Sequence, residues 1–271
     1  MSPRDASVVL TGAAGGLGSA IARRLFDEGA CLLLVGRNSG PLLALARSLN
    51  GAARDRSRVD ALVVDVTKDE GRRAIVDAAA ARNANVLINN AAVAAFGPAQ
   101  DLRSEEARRV AETNIVAPMM LIAGMLPLLH ARERAQILNI GSTLGSLGVP
   151  GFSVYGASKA ALRIYTEALR RELAGSTVRV QYYAPRAIDT PFNSQQVQAF
   201  NRATGSASDS PEAVAHCISR MLQSKSRQRH AGRVEAIAAR LNGVCPEWLD
   251  GAFGKHRRAL TSLKSPSGAS S

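Results

Sequence analysis

The chain has 271 residues, 46% of them apolar and 4% aromatic, a globular composition with enough length to bury one substantial core. Its three cysteines, Cys31, Cys217 and Cys245, are far apart, odd in number and in no metal-ligand spacing, which argues against a disulfide framework and for a reducing, cytoplasmic setting. A net charge of +12 can attract nucleic acid, anionic lipid or phosphorylated ligands, but few aromatics and no recognised nucleic-acid module exclude specific nucleic-acid binding from the expectation.

Ser7 to Leu10 is a short apolar run, a strand's length rather than a signal peptide's, and it leads into ThrGlyAlaAlaGlyGlyLeuGly at 11–18. The residues that follow place Ile21, Ala22, Leu25 and Phe26 on one helical face ending at Gly29. In this order of strand, glycine turn and helix, Gly12, Gly16 and Gly18 let the backbone approach a pyrophosphate while the helix N-terminus faces its charge. CysLeuLeuLeuValGly at 31–36 reads as a strand buried on both faces. Where many dinucleotide-binding chains carry a carboxylate for the ribose 2′-hydroxyl, this one has Gly36, Arg37 and Asn38. A guanidinium pairs with a 2′-phosphate, so NADP(H) is favoured over NAD(H).

Further strands are expected at 61–66, ending in Asp65, at 85–90, at 136–140 and at 178–184, with a helix near 103–113 and a long one near 114–130. The run from Ile115 to Leu129 contains Pro118 and Pro127 and reads as a buried helix too short to span a bilayer. The alternation predicts a single-domain, doubly wound Rossmann-type α/β fold, a parallel sheet flanked by helices on both faces. Ligands of such sheets bind beyond the carboxyl ends of the strands. The turn from Gly12 to Gly18, Arg37, Asp65, Asn90, Ser142 and Pro185 all fall at such ends, which argues for one site.

Ser142 closes the apolar run GlnIleLeuAsnIleGly, and a loop holding Gly145, Gly148, Pro150 and Gly151 separates it from Tyr155. Tyr155 and Lys159 stand four apart at the start of a helical pattern, so one turn stacks phenol and ammonium on the same face. A neighbouring cation lowers a phenol pKa that starts near ~10, preparing the tyrosine for proton transfer near neutrality.

Over roughly 5–195 these residues resemble the classical short-chain dehydrogenase/reductase family. The matches are ThrGly-x-x-x-Gly-x-Gly at 11–18, Asp65 with Val66, AsnAsnAla at 89–91, Asn114 in ThrAsnIleValAla, Ser142, Tyr155-x-x-x-Lys159, and ProArgAlaIleAspThr at 185–190. The resemblance implies hydride transfer between NADP(H) and a small-molecule carbonyl or alcohol. Tyr155 would be the proton donor or acceptor, Lys159 its partner and a ligand of the nicotinamide ribose, Ser142 the group that polarises the substrate oxygen, and Asn114 the anchor of a relay water. It implies a cofactor cradle of Gly12, Gly16, Leu17, Gly18, Arg37, Asn38, Asp65, Val66, Asn90, Ala91, Tyr155, Lys159, Ile188 and Thr190, no metal, and a homodimer or homotetramer. His130, His216, His230 and His256 are scattered and fit no metal spacing. Two positions depart from the family: Ala92 replaces a glycine after AsnAsnAla, and Arg186 replaces the glycine after Pro185. A glycine at the second place permits unusual φ, so Arg186 puts the backbone there in question and offers a cation to an acidic or phosphorylated substrate. Neither change removes a reacting group, so an enzyme is expected over the alternative of a catalytically silent NADP(H)-binding regulator.

Beyond Thr190 the chain turns polar, and a mobile, loop-like lid over a lipophilic or acyl-chain substrate is expected near 190–210. A helix at 210–222 and a short last strand near 227–231 would complete a catalytic domain of 1–232. Residues 233–271 then form an extension: two short amphipathic helices at 233–242 and 246–253, a basic stub, and a Ser/Gly-rich tail expected to be disordered. Residues 220–271 carry ten Lys or Arg against three acidic residues. Two readings stand for this segment: packing over the domain or a dimer partner, or membrane-peripheral contact with anionic lipid.

Overall fold

The computed structural model describes residues 1–51 and 58–262. In chain order the strands are β1 (Ser7–Thr11), β2 (Cys31–Gly36), β3 (Val59–Val63), β4 (Val86–Asn89), β5 (Ala135–Ile140), β6 (Val178–Ala184), β7 (Ala187–Ile188), β8 (Ser208–Asp209) and β9 (Gln228–His230). The helices are α1 (Gly16–Asp27), α2 (Ser39–Gly51), α3 (Asp69–Ala81), α4 (Ser104–Ala111), α5 (Ala117–His130), α6 (Ser153–Glu172), α7 (Gln195–Thr204), α8 (Pro211–Gln223), α9 (Arg233–Asn242) and α10 (Gly254–Ser262).

Alternate residues of each central strand point to opposite sides of the sheet, and both sides are apolar. Val8, Leu10, Leu32, Leu34 and Ile88 pack beneath α1, α2 and α8. Val9, Leu33, Val35, Leu87 and Ile137 pack beneath α3, α5 and α6. Covered on both faces, these strands are written as unbroken apolar runs. Seven strands pair in parallel in the order β3-β2-β1-β4-β5-β6-β9, while β7 and β8 form a separate two-stranded ladder. The order reverses between β1 and β4, and that break opens a crevice above the strand ends. The doubly wound, Rossmann-type architecture expected from the sequence is therefore present.

Several boundaries differ from the sequence pattern. β3 stops at Val63, so Asp65 lies two residues beyond the strand rather than at its end. The helices expected at 103–113 and 114–130 are one continuous helical stretch, because Glu112–Val116 forms a π-helical turn between α4 and α5. By length and composition Ser104–His130, with a mean hydropathy of 1.5 in its most apolar window, could cross a membrane, contrary to the expectation that it is too short. Leu121, Ile122, Met125 and Leu129 of this helix are nevertheless fully buried against the sheet, the position of a core helix. The lid region is not wholly loop: α7 is a ten-residue helix, started by Ser194, whose Oγ accepts from the Val197 N–H at 3.3 Å, and ended at Gly205 with φ +71°. Pro246–Phe253 winds as a 3-10 helix, and the basic stub is itself a helix, α10. The Ser/Gly-rich tail beyond 262 lies outside the described residues.

Candidate active site

The crevice contains a cavity of about 550 Å³, within the range of small-molecule sites. Of the residues singled out from the sequence, Gly12, Gly16, Leu17, Gly18, Arg37, Asn38, Asp65, Val66, Asn90, Ala91, Ser142, Tyr155, Lys159, Ile188 and Thr190 all line it. Asn114 does not.

At one end lies the glycine turn. Gly12 has φ +65°, and a Cβ on Gly18 would come within 2.1 Å of the Gly12 carbonyl oxygen, so neither position admits a side chain without moving the backbone. Thr11 pins this turn to the neighbouring strand: its Oγ1 accepts from the Asn90 and Ala91 N–H groups at 3.0 and 3.1 Å. Asn90 Nδ2 answers by donating to the Thr11 and Gly12 carbonyls at 3.0 and 3.1 Å. No side chain caps the start of α1, which leaves its first N–H groups without a side-chain partner, and Gly15, Gly16, Leu17 and Gly18 line the cavity. A dinucleotide fits this cradle.

Arg37 follows β2 with 55% of its side chain exposed and its guanidinium 3.9 Å from the Asp65 carboxylate. Burial pushes Asp65 up, but hydrogen bonds from the Thr67 N–H and hydroxyl, with the charge of Arg37, outweigh it and hold the carboxyl below its ordinary value.

At the other end Ser142 emerges two residues past β5, its Oγ accepting from the Leu144 N–H at 3.2 Å. Tyr155 and Lys159 stand on the first turns of α6. A buried polar chain ties that helix to the sheet: Asn89 Nδ2 of β4 donates to Asn139 Oδ1 of β5 at 2.8 Å, Asn139 Nδ2 donates across to Thr166 Oγ1 of α6 at 2.9 Å, and the Thr166 hydroxyl donates within the helix to the Leu162 carbonyl at 2.6 Å. Asn114, on the π turn, accepts from the Val93 N–H at 2.9 Å and donates to the Val93 carbonyl and Ser158 Oγ at 2.8 and 3.0 Å. Its side chain thus clamps the loop after β4 to α6, next to the lysine rather than on it.

The electrostatics differ from the expected lysine-depressed phenol. Burial raises Tyr155 above its ordinary value, and a hydrogen bond with Ser142 only partly opposes this. Lys159 Nζ sits 5.8 Å from the phenol ring centroid, donates to the Ile140 carbonyl at 3.0 Å, and is itself brought down to about 8 by burial. Burial thus favours the protonated phenol of Tyr155 and disfavours the charged form of Lys159.

Arg186 also departs from expectation. Its φ is not in the left-handed region, so no strain follows from the missing glycine. Its guanidinium forks onto Asp209 and reaches Glu235 of α9 at 3.5 Å, so it is not offered to an anionic substrate.

The sequence reading missed most of the substrate end. Five of the six phenylalanines gather here: Phe152, Phe192, Phe200 and Phe253 line the cavity, and Phe96 packs behind with ring centroids 4.8 Å from Phe152 and 5.1 Å from Phe200. His256 of α10 joins them, 5.7 Å from the Phe200 ring, and burial lowers its pKa. The one available signal was that four of the six phenylalanines of this aromatic-poor chain lie from Phe152 onward.

The short chain dehydrogenase family matches residues 6–200. Sulfoacetaldehyde reductase 2 of Chromohalobacter salexigens is 38% identical over 189 residues, 68% of this chain and 73% of that protein. Among solved structures, a short-chain dehydrogenase/reductase from Burkholderia phymatum in complex with NAD superposes with a TM-score of 0.81 at 24% identity, covering 92% of this chain and 96% of that one. An actinorhodin polyketide ketoreductase variant with NADPH superposes with a TM-score of 0.75 at 27% identity, covering 85% and 97%. Motif order, sheet order and these likenesses agree, and the chain belongs to the short-chain dehydrogenase family of oxidoreductases.

Proposed function

We propose that this protein is an NADP(H)-dependent oxidoreductase interconverting a lipophilic ketone or aldehyde and its alcohol. The observation that carries the reading is that one cavity has the glycine turn and Arg37 at one end and Ser142, Tyr155 and Lys159 at the other. The bound cofactor would supply or accept the hydride at the substrate carbon. Tyr155, kept protonated by burial, donates its proton to the carbonyl oxygen in reduction and takes it back in oxidation. The Ser142 hydroxyl donates to the same oxygen as charge develops there. Lys159, with a pKa of about 8, passes a proton onward near neutrality. Asn114 is a positioning residue that keeps α6 seated, and Ala92 leaves a methyl on the cavity wall.

NADP(H) is favoured because β2 ends in Gly36 followed by the half-exposed guanidinium of Arg37 rather than by a carboxylate, and the nearby Asp65 carboxylate is engaged by Thr67 and by Arg37 itself. The relatives bear on this only generally, since one was solved with NAD and another with NADPH. A lipophilic substrate is favoured by the phenylalanine wall with Leu144, Leu147 and Val149. A small anionic aldehyde, as the name of the Chromohalobacter relative suggests for that protein, would want a free cation at the substrate end. Among the described residues the one arginine there, Arg186, is already neutralised by two carboxylates. Free Cys31, Cys217 and Cys245 support a reducing, cytoplasmic location, and exposed Val116, Met120 and Ile164 support a homodimer or homotetramer. The test is nucleotide consumption across a carbonyl panel with NADPH and NADH. Long-chain β-keto and cyclic ketones should turn over with the highest kcat/KM, with NADPH preferred. Preference for a sulfonated or carboxylated short aldehyde would overturn the substrate reading, and equal use of NADH the cofactor reading.

A further inference from the structure

We infer that α9 and the turn after it dock on an anionic lipid surface. Val234, Ile237, Leu241, Val244 and Trp248 recur at alternating steps of three and four residues and are 77%, 56%, 43%, 78% and 74% exposed. Scattered single apolar residues on a surface need no explanation, but five large ones within fifteen positions do. The helix cannot roll over to hide them. Glu235 near its start is held by Arg186 at 3.5 Å, and Asn242 at its end donates to the Ser146 carbonyl at 3.0 Å. These polar anchors fix the inward side of α9 and leave the apolar stripe facing out.

Charge selects the partner. From Lys225 to Arg258 seven described Lys or Arg side chains are exposed against two exposed carboxylates, Glu247 and Asp250. A second copy laid on this stripe would bring like charges together, and a nucleic acid would satisfy the charges but not the apolar residues. An anionic bilayer meets both needs, and an exposed tryptophan is suited to the interface between headgroups and chains. α9 supplies Glu235 to the cavity wall and the chain that follows supplies Phe253 and His256, so the docked face borders the cavity. If the lipophilic-substrate reading holds, on which this consequence rests, substrate enters from the membrane.

The experiment is co-sedimentation of the full chain with vesicles of phosphatidylcholine alone and of phosphatidylcholine with phosphatidylglycerol, at low and high ionic strength. Binding should require phosphatidylglycerol and fall with salt. The double variant Val244→Ser with Trp248→Ser should lose partitioning by about tenfold or more, since both lost side chains are apolar and exposed. Arg257→Gln with Arg258→Gln should weaken binding to the mixed vesicles without changing the mass in solution. Absence of sedimentation with either vesicle, or equal binding by the serine variant, overturns the inference. So does an oligomer in solution that dissociates in the serine variant without vesicle binding, because the stripe is then a contact between copies. Vesicle binding by a chain that reduces no carbonyl would sink the proposed function and leave the docking standing; turnover without binding does the reverse.

Discussion

Tyr155 stands half-buried at the third position of α6, and its burial, not its lysine, is the main influence on its proton affinity. Removing the phenolic oxygen removes the proton donor while leaving the ring that packs near Phe152 and Phe192. Tyr155→Phe should therefore lower kcat by about 10²- to 10⁴-fold while the Kd for NADPH stays within about threefold. A variant with near-normal turnover would remove the acid–base assignment. Arg37 is the corresponding test at the far end of the cavity. Its loss should weaken NADPH by about 10- to 100-fold, the worth of charge-assisted hydrogen bonds, and NADH far less. Equal weakening would mean that the 2′-phosphate is read by another group. Lys159 yields a prediction about pH. Burial brings its pKa from 10.5 to about 8, so the folded chain binds this proton less tightly than the unfolded chain. Below that value the buried ammonium costs stability. Between about 8 and 10.5 the unfolded state still holds a proton that the native state has released, so the lysine's contribution improves as pH rises. Lys159→Met should thus raise stability at neutral pH by about 1–3 kcal/mol, with the gain shrinking across that window, while activity is lost. Chemical denaturation as a function of pH measures it, and a variant less stable at pH 7 would contradict it.

Elements were legible where the residues that define them are close in sequence. The glycine turn, Tyr155 with Lys159, and the apolar strands are each set by neighbours within a few positions, and all were found, with β3 shifted toward the N-terminus to Val59–Val63. α7 and α10 were not legible because their apolar positions find partners in each other, in Phe96 and in the residues around Phe152, all remote in sequence. The role of Arg186 was hidden for the same reason. Asp209 and Glu235, its partners, are 23 and 49 residues away. This cluster joins the turn between β6 and β7, which holds Arg186, to β8 and α9. Hydrogen bonding to Asp209, with the charges of both carboxylates, holds the guanidinium above its already high pKa. Arg186→Gly restores the residue usual in the family but strands two carboxylates that repel each other. Amide exchange in α9 should quicken by about tenfold while β1, β4 and β5 keep their protection. Unchanged exchange in α9 would show that the helix is held by its other contacts alone.

For the whole molecule, the consequential division is between the two apolar layers on the sheet and the small cluster over the substrate end. Phe152, Val197, Phe200 and Ala259 form a core of their own, in contact with Phe96, Tyr155 and Leu260 but separate from the residues that bury the sheet. A satellite cluster of this kind opens at a lower free energy than the fold it covers. Phe200 is 1% exposed and Leu10 is fully buried, so burial alone would rank their losses alike. Their places in the molecule do not. Leu10→Ala removes packing beneath α1 and should lower global stability by about 2–5 kcal/mol. Phe200→Ala should instead speed exchange in α7 and α10, raise KM for a large ketone more than it lowers kcat, and shift the global denaturation midpoint much less than Leu10→Ala does. A lid cluster that melts with the sheet, giving both variants equal losses in midpoint, would mean that the substrate end is part of the main core and that access to it requires unfolding rather than local opening.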